Sequence, residues 1–399
     1  MSAGWPRAKL SDLAQQIDYG HTASASSDPV GPQMLRITDI QERAVDWSSV
    51  PYCLCSPGEE DATLLRPGDI VFARTGATTG KSFLVRDCPE RAVFASYLIR
   101  VRPSPRVDAR YLAHFFQTED YWQQLGRVAT GTAQGGVNAS KLRQLLVPLP
   151  PIVEQKRIAA ILDAAEALRE KRRRAVELLD SLTWSAFDAE IGNPLENPYG
   201  FPIVAVGDVV ETFEGGKNIA PSEEDSATQL RVLKVSAVTT LEFDPAQSKP
   251  LPTDYSPPGH HFAKRNDLLF SRANTTELIG ATAFVWNVGE NIVLPDKLWR
   301  FVWKTEVAAE PLFIWYVFRH PAIRAEIGKR ATGTSGSMRN ISQGKVLSIR
   351  IPLPPQSVQR RFAQTVMASR RERIHQQASL EVINSLLAAA QHRAFRGEL

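Results

Sequence analysis

The sequence predicts a mixed α/β (α+β) protein made of two repeated globular domains, each followed by one long helix. Three observations support this fold class. The chain of 399 residues repeats itself once. Short strings of β-branched and aromatic residues lie between turn residues in each copy, which predicts strands. A long stretch without glycine or proline closes each copy, which predicts a helix.

The repeat keeps its order along the chain. "GDIVFAR", which ends at Arg74, corresponds to "NDLLFSR", which ends at Arg272. "LGRVATGTAQGGVNAS" corresponds to "IGKRATGTSGSMRNIS", and "PLPP" follows both strings. The offset between the copies grows from 196 residues at Trp5 to 204 residues at Pro148. Small insertions in the second copy explain this growth, and two copies of one fold follow.

Each globular copy mixes short strands with helices. "DIVFAR", "SFLVR" and "SYLIRVRP" predict strands from their composition. "DARYLAHFFQTEDYWQQLG" predicts one helix, with Tyr111, Leu112, Phe115 and Phe116 at helical spacing, and "PLFIWYVFRHPAIRAEIG" takes its place in the second copy. The aromatic residues of these segments favour a core over a surface that stacks bases.

A predicted long helix closes each copy. The first extends from Glu154 to Glu190, about 55 Å at ~1.5 Å per residue, and the second begins at Gln359 and runs nearly to the C-terminus. Each carries a narrow stripe that suits helix-on-helix pairing better than a globular core. The stripes are Ile158, Leu162, Ala165, Val176 and Leu179, and Phe362, Val366, Ser369, Leu380 and Ile383.

Both stripes turn polar in the middle, where Arg169 and Arg172 stand at the level of Arg373 and Gln376. Either water interrupts the seam there or a partner protein contacts it. The nearby run "REKRRR" is typical of a solvated helix face, with contact to DNA as the alternative.

Composition favours a protein of the cytoplasm. The formal net charge of +4 suits nucleic acid without requiring it. No window approaches a membrane span, and the N-terminal string "MSAGWPRAKLSDLAQQ" lacks the apolar core of a signal peptide. We expect Cys53, Cys55 and Cys88 to be reduced thiols, because an odd, sparse set is a poor disulfide framework. With no second Cys or His pair at finger spacing, the sequence predicts no metal site.

Catalytic motifs are missing from the pattern. "RTGATTGKS" looks like a phosphate-binding loop, but it is one residue too short, and its counterpart "RANTTELIGATAF" lacks the Gly-Lys-Ser ending. "NPYG" lacks the second proline of a DNA methyltransferase motif, and "PDKL" of the second copy is "ASYL" in the first. The sequence therefore predicts a binding protein and not an enzyme.

Three polar loops are shared by the copies: "RTGATTGK" and "RANTTE", "ATGTAQGGVNAS" and "ATGTSGSMRNIS", and "DYGHT" and "EGGKN". Thr, Ser, Gln and Asn can contact base edges, whereas Arg and Lys can contact guanine or phosphate. Any one loop could be a simple turn, but duplication of all three favours recognition.

In order, spacing and repetition, these features resemble the specificity subunit of a type I restriction-modification system. "PLPPIVEQKRIAAILD" is the most telling string, and "PLPPQSVQRRFAQTV" of the second copy departs from its Glu-Gln pair. The resemblance implies target recognition domains at 1–150 and 193–354, and spacer helices at 151–192 and 355–399 that pair as an antiparallel coiled coil. The spacer residues expected to pair and to dock other subunits are Ile158, Leu162, Val176, Leu179, Phe362, Val366, Leu380 and Ile383.

The resemblance further implies a noncatalytic reader of double-stranded DNA without a cofactor of its own. Two modification subunits would bring S-adenosylmethionine, and restriction subunits would use ATP and magnesium. The expected DNA-binding residues are Arg74, Thr75, Lys81, Thr130, Thr132, Gln134, Asn138, Lys217, Asn218, Arg272, Asn274, Thr332, Ser335, Arg339 and Asn340. Two alternatives stay open: a duplicated protein-binding scaffold with no DNA role, and a DNA-processing enzyme with an unfamiliar site.

Overall fold

The computed structural model describes residues 5–41, 43–129, 136–218, 229–307, 309–335 and 338–399. The chain forms two compact units: unit 1 comprises Met1–Arg174 and Gln377–Leu399, and unit 2 comprises Ala175–Gln376. Both units include parts of both long helices, so the predicted boundaries after residues 150, 192 and 354 stay predictions. Among the described residues, no helix combines the length and the apolar character needed to cross a membrane.

Unit 1 is built around an antiparallel sheet with the strand order β2-β9-β6-β7, and β3 and β8 form a parallel pair beside it. Its strands are β1 (Arg7–Lys9), β2 (Ala14–Tyr19), β3 (Gln33–Leu35), β4 (Ile40–Gln41), β5 (Ala44–Val45), β6 (Ile70–Ala73), β7 (Ser82–Leu84), β8 (Ala92–Phe94), β9 (Leu98–Pro103) and β10 (Leu146–Pro148). Its helices are α1 (Leu10–Leu13), α2 (Pro57–Thr63), α3 (Ala109–Phe115), α4 (Glu119–Ala129), α5 (Ala139–Arg143), the first part of α6 (Ile152–Glu190) and the last part of α11 (Gln356–Arg396).

Unit 2 repeats the antiparallel sheet, with the order β12-β19-β15-β17. Its strands are β11 (Ile203–Ala205), β12 (Val210–Gly215), β13 (Arg231–Leu233), β14 (Ser248–Pro250), β15 (Leu268–Ser271), β16 (Ala273–Asn274), β17 (Thr282–Phe284), β18 (Ile292–Val293), β19 (Leu298–Trp303), β20 (Thr332–Ser335), β21 (Met338–Asn340) and β22 (Arg350–Pro352). Its helices are the last part of α6, α7 (Val206–Val209), α8 (Pro311–Arg319), α9 (Pro321–Arg330), α10 (Gln343–Leu347) and the first part of α11 (Gln356–Arg396).

The shared sheet order confirms the predicted duplication. The strands predicted from "DIVFAR", "SFLVR" and "SYLIRVRP" are β6, β7 and β9, and all four residues of β6 are buried. The aromatic residues Tyr111, Phe115 and Phe116 are fully or almost fully buried in the core of unit 1. The mixed α/β fold class is therefore confirmed, and these aromatics belong to the core.

The single helix predicted over "DARYLAHFFQTEDYWQQLG" is wrong, because two helices stand there. Between α3 and α4 the Thr118 hydroxyl donates to the carbonyl of Phe115 at 2.7 Å and accepts from the amide of Tyr121 at 3.3 Å, which caps the second helix. In the second copy Pro321 begins α9, and a proline ring suits the first position of a helix because no N–H is needed there.

The long helices run antiparallel within each unit. In unit 1, Ile158 and Leu162 of α6 share a buried core with Phe395 near the end of α11. In unit 2, the ring of Phe187, late in α6, contacts the ring of Phe362, early in α11, with centroids 5.3 Å apart. The helix α11 begins three residues before the predicted Gln359.

The predicted stripe is buried at its outer positions and partly exposed toward the middle of each helix. The buried members are Ile158, Leu162, Phe362 and Val366. The partly exposed members are Val176, Leu179, Leu380 and Ile383. Thr183 also lies in this seam, where its hydroxyl donates to that of Ser369 at 2.9 Å. The pairing therefore combines apolar ends with polar contacts nearer the middle.

Candidate nucleic-acid interface

The loop between β6 and β7, residues 74–81, closes on itself. The amides at its end are used within the fold: Gly80 N–H donates to the carbonyl of Ala73 at 2.8 Å, and Lys81 N–H donates to the carbonyl of Thr78 at 2.9 Å. A phosphate-binding loop needs such amides free to point at the ligand. The hydrogen bonds therefore support the conclusion from spacing that this loop is not a nucleotide site.

Gly80 is required by packing and by backbone conformation. Its φ is +83°, in the left-handed region that favours glycine. A Cβ atom at this position would lie 2.4 Å from Cδ2 of Leu125 on α4. Gly280 repeats this arrangement in unit 2, where a Cβ would lie 2.5 Å from Cγ2 of Ile327. In both units the loop rests directly on the helix that precedes the "ATGT" segment.

In unit 1 the three predicted loops meet at Tyr19, which ends β2. The guanidinium carbon of Arg74 lies 4.9 Å from the centre of the Tyr19 ring. The Tyr19 hydroxyl accepts a hydrogen bond from the amide of Ala139 at 3.1 Å. The Arg74 carbonyl accepts another from the amide of Val137 at 3.1 Å. One tyrosine therefore joins the "DYGHT", "RTGATTGK" and "ATGTAQGGVNAS" loops.

The remaining predicted residues of unit 1 differ in whether their side chains are exposed or already form hydrogen bonds within the fold. Arg74, Thr75 and Lys81 are exposed on the loop after β6. Asn138 caps α5, since its Oδ1 accepts from the amide of Lys141 at 2.8 Å, so that oxygen is already used within the fold. Three predicted positions lie outside the described residues: Thr130, Thr132 and Gln134.

In unit 2 the corresponding arginine also lies against an aromatic ring, but the ring comes from another strand. The guanidinium carbon of Arg272 is 5.6 Å from the Trp299 ring centre, and its Nε donates to the carbonyl of Asp296 at 2.7 Å. Trp299 on β19 pairs with Gly215 of β12, whereas Ile99 on β9 pairs with Tyr19. The aromatic side chain has thus changed strands between the copies while the arginine has kept its place.

The first and second loops of unit 2 form one small sheet, with the order β16-β21-β20. Asn274 of β16 pairs with Arg339 of β21, and Thr332 of β20 pairs with Asn340. The amide of Ile341 donates to the Arg272 carbonyl at 3.0 Å, which repeats the bond from Val137 to Arg74.

Two of these side chains already form hydrogen bonds within unit 2. Arg339 donates to the carbonyls of Gly328 and Ala331. Asn274 Oδ1 accepts from the amide of Thr275 at 2.9 Å.

The other predicted residues of unit 2 lie on β20 and in the loop after β12. Lys217 and Asn218 are exposed directly after β12, and Thr332 is exposed on β20. Ser335 is the last residue of β20. The fold therefore gathers Arg272, Asn274, Thr332, Arg339 and Asn340 through backbone pairing.

A pair of buried arginines supports the two sheets, and sequence reasoning missed both. Arg100 of β9 is fully buried, and its Nε donates to Asp18 Oδ1 at 3.0 Å. Arg300 occupies the same place on β19 and forms ion pairs with Glu214 and Asp267. Burial raises the pKa of Asp267, although the Lys264 amide and Arg300 oppose this effect. The match of "YLIRV" with "KLWRF" could have identified both arginines.

Parts of the long helices expose apolar side chains. In unit 2, Leu178 and Leu182 of α6 are 66% and 59% exposed. In unit 1, Val382 and Leu386 of α11 are 58% and 63% exposed. Such groups lie outside the seam between the helices, and clustered exposed apolar residues are typical of surfaces that bind other proteins.

Comparisons with known proteins agree on one family. Residues 56–178 match the model of the type I restriction modification DNA specificity domain. The type I restriction enzyme EcoKI specificity subunit of Escherichia coli strain K12 is 23% identical over 387 residues, covering 92% of this chain and 82% of that protein. The putative type I restriction enzyme MjaX specificity subunit of Methanocaldococcus jannaschii is 27% identical over 183 residues, covering 44% of this chain and 43% of the relative.

Two solved structures share the fold. A type I restriction-modification system S subunit from M. genitalium gives a TM-score of 0.61 at 11% identity, covering 99% of this chain and 96% of that one. A chain from work on complex assembly and conformational transition of the type I R-M system gives 0.57 at 18% identity, covering 99% and 98%.

Proposed function

We propose that this chain, which belongs to the type I restriction-modification specificity family, is the noncatalytic DNA-recognition subunit of such a complex. One observation carries the proposal: the same loop cluster is built twice. In each unit an arginine after the third sheet strand, Arg74 or Arg272, lies against an aromatic ring, and its carbonyl accepts from the amide of Val137 or Ile341 in the loop that follows the helix. Arg74 is exposed on its loop, so its guanidinium is accessible to a ligand.

In this proposal each unit binds one half of a bipartite site in double-stranded DNA. Arginine can donate two hydrogen bonds to guanine or contact phosphate, and exposed threonine and asparagine can contact other base edges. Arg74, Thr75 and Lys81 are exposed in unit 1, and Lys217, Asn218 and Thr332 are exposed in unit 2. We expect these residues to contact DNA first, with Arg272 and Arg339 also positioning the loops.

The long helices would set the gap between the half-sites and dock two modification subunits, with restriction subunits joining the same complex. Leu178 and Leu182 support docking, because they are exposed four residues apart on α6 and contiguous exposed apolar groups are typical of protein-binding surfaces. S-adenosylmethionine, ATP and magnesium would belong to those partners. The proposal places the chain in the cytoplasm, together with the DNA that it would bind.

Duplex binding by the purified full chain tests this function against the scaffold and enzyme alternatives. We expect affinity for duplex DNA that weakens steeply as salt increases, because counterions are released when phosphates are neutralised. We also expect neither methylation nor cleavage without added subunits. Salt-independent or absent duplex binding would favour the protein scaffold, and turnover by the chain alone would favour the enzyme.

A further inference from the structure

Three potential metal ligands converge in unit 1 from separate segments of the chain. His21 follows β2, Cys55 precedes α2, and Glu59 lies in the first turn of α2. One ligand atom from each lies within 4.8 Å of the other two, and Nδ1 of His21 is 3.9 Å from Oε1 of Glu59. The sequence did not indicate this set of ligands, because His21 is far from Cys55 along the chain.

Hydrogen bonds orient the side chains of His21 and Glu59 so that one ligand atom of each faces the other. The His21 Nε2 lies 3.1 Å from the carbonyl of Leu54. A carbonyl can only accept, so Nε2 carries a proton, and in the neutral imidazole the Nδ1 lone pair faces Glu59. The Glu59 Oε2 accepts from the Ser56 amide at 3.0 Å and from the Ser56 hydroxyl at 2.5 Å, which leaves Oε1 toward His21. A histidine that donates its second N–H to a carbonyl is typical of metal sites.

The backbones that present the ligands are held in place. The His21 amide donates to the carbonyl of Phe94 at 2.8 Å, and the His21 carbonyl accepts from the amide of Ser96 at 2.9 Å. Near the thiol, the Cys53 amide donates to the carbonyl of Pro32 at 3.0 Å. The backbone is therefore fixed at His21 and two residues before Cys55, which favours a preorganised site.

We propose that His21, Cys55 and Glu59 bind one divalent transition-metal ion, with zinc favoured by the ligand types and a fourth position open to water. Zinc bonds of about 2.0–2.3 Å in tetrahedral geometry place ligand atoms roughly 3.3–3.7 Å apart. The observed separations therefore require only a small closure of the three side chains, of which Glu59 is exposed and His21 and Cys55 are partly buried. The ion would tie the "DYGHT" loop, which carries Tyr19, to the segment that begins α2.

The other candidate set in unit 1 does not support a metal. His114, Asp163 and Glu166 also lie close together, but Arg86 donates to Asp163 at 2.9 Å and Arg43 donates to Glu166 at 2.7 Å. Arginines already neutralise these carboxylates, so an added cation would have to displace them.

The site is specific to the first copy of the repeat. The alignment of Gly20 with Gly216 places Lys217 at the position of His21. A lysine ammonium cannot coordinate a cation. The proposed ion is therefore a feature of the first copy and is not shared by the second.

Metal binding by the full chain tests the proposal. After removal of bound metal with a chelator, cobalt(II) and zinc(II) are titrated separately into the wild-type chain and into His21→Gln, Cys55→Ser and Cys88→Ser. Cys88→Ser is the matched control, because Cys88 is a free thiol outside the cluster. We expect one cobalt ion per chain with a thiolate-to-cobalt absorption band in wild type and control. We expect the affinity to fall by about 100-fold or more in the other two variants, since even outer-shell changes cost about 10–100-fold.

Alkylation followed by mass spectrometry gives a second readout. Zinc should slow the modification of Cys55 in the wild-type chain and leave the rate at Cys88 unchanged. Circular dichroism of the metal-free variants checks that each is folded. A wild-type chain without the thiolate band, or equal affinity in Cys55→Ser, would overturn the proposal. An ion pair between a protonated His21 and Glu59 would then explain their proximity.

Discussion

Tyr19 is the residue whose substitution should reveal whether the loop cluster of unit 1 acts in DNA binding. It is 41% exposed, and the Arg74 guanidinium lies against its ring. Its hydroxyl accepts a hydrogen bond from the amide of Ala139. Tyr19→Phe removes only the hydroxyl, whereas Tyr19→Ala also removes the ring. In both variants, part of the free energy that orders the loops must instead be supplied when DNA binds, which lowers affinity.

The contacts set the size of the effect. One hydrogen bond makes a net contribution of about 0.5–1.5 kcal/mol to stability. An exposed cation–π contact contributes about 0.5–1 kcal/mol. Tyr19→Phe should therefore weaken binding by about 2- to 12-fold, and Tyr19→Ala by about 5- to 60-fold, since 1.4 kcal/mol is about tenfold in Kd. The salt dependence should not change, because neither variant removes a charge. Arg74→Gln should reduce the salt slope by about 0.9 if Arg74 contacts one phosphate.

Fluorescence anisotropy with a labelled duplex containing the recognised site measures these changes, on the full chain with its modification partner. Tyr199→Phe serves as the control, because Tyr199 is also exposed and its hydroxyl donates to a backbone carbonyl, that of Ala189, away from the loops. Affinity for DNA in Tyr19→Ala equal to that of wild type would refute the role of the cluster, provided that the variant is folded.

Two further predictions concern stability. Glu242→Gln should lower the free energy of unfolding by about 1–2 kcal/mol in urea denaturation, because Glu242 lies 3.4–3.9 Å from Arg319, Arg370 and Arg373. Glu381→Gln, an exposed position, should change it little. Burial opposes ionisation of Asp163, but Arg86 and His114 hold its pKa below the ordinary value. This stabilisation is complete above the unfolded pKa and is lost as pH falls through the folded pKa, so stability should decline below about pH 4. Asp163→Asn should flatten that decline, and an unchanged acid profile would contradict the assignment.

Local composition and repetition were sufficient to predict most of the architecture. All four residues of β6 are buried, so its apolar composition was a clear signal for a strand. The long helices contain no glycine or proline that would break them. The break between α3 and α4 was missed because it depends on the side chain of Thr118 capping α4, which helical periodicity does not report. In the second copy, Pro321 was a visible signal.

The cluster itself could be predicted only in outline. The three loops were identified by duplication, but the residue that joins them in unit 1, Tyr19, has no aromatic counterpart at Gly215. The counterpart is Trp299 on the neighbouring strand, and such an exchange across a strand pair becomes visible only when the register is known. For the same reason, the approach of His21 to Cys55 could not be found from spacing along the chain.

Mapping of methylated adenines in the genome of a host that carries this chain and its modification partner tests the central claim most directly. Two units that each bind a half-site predict a methylated motif of two short specified sequences separated by an unread gap of constant length. Arg272→Ala should relax or abolish only one of the two half-sites, because Arg272 belongs to unit 2. A single uninterrupted motif, or methylation that does not depend on this chain, would contradict the account.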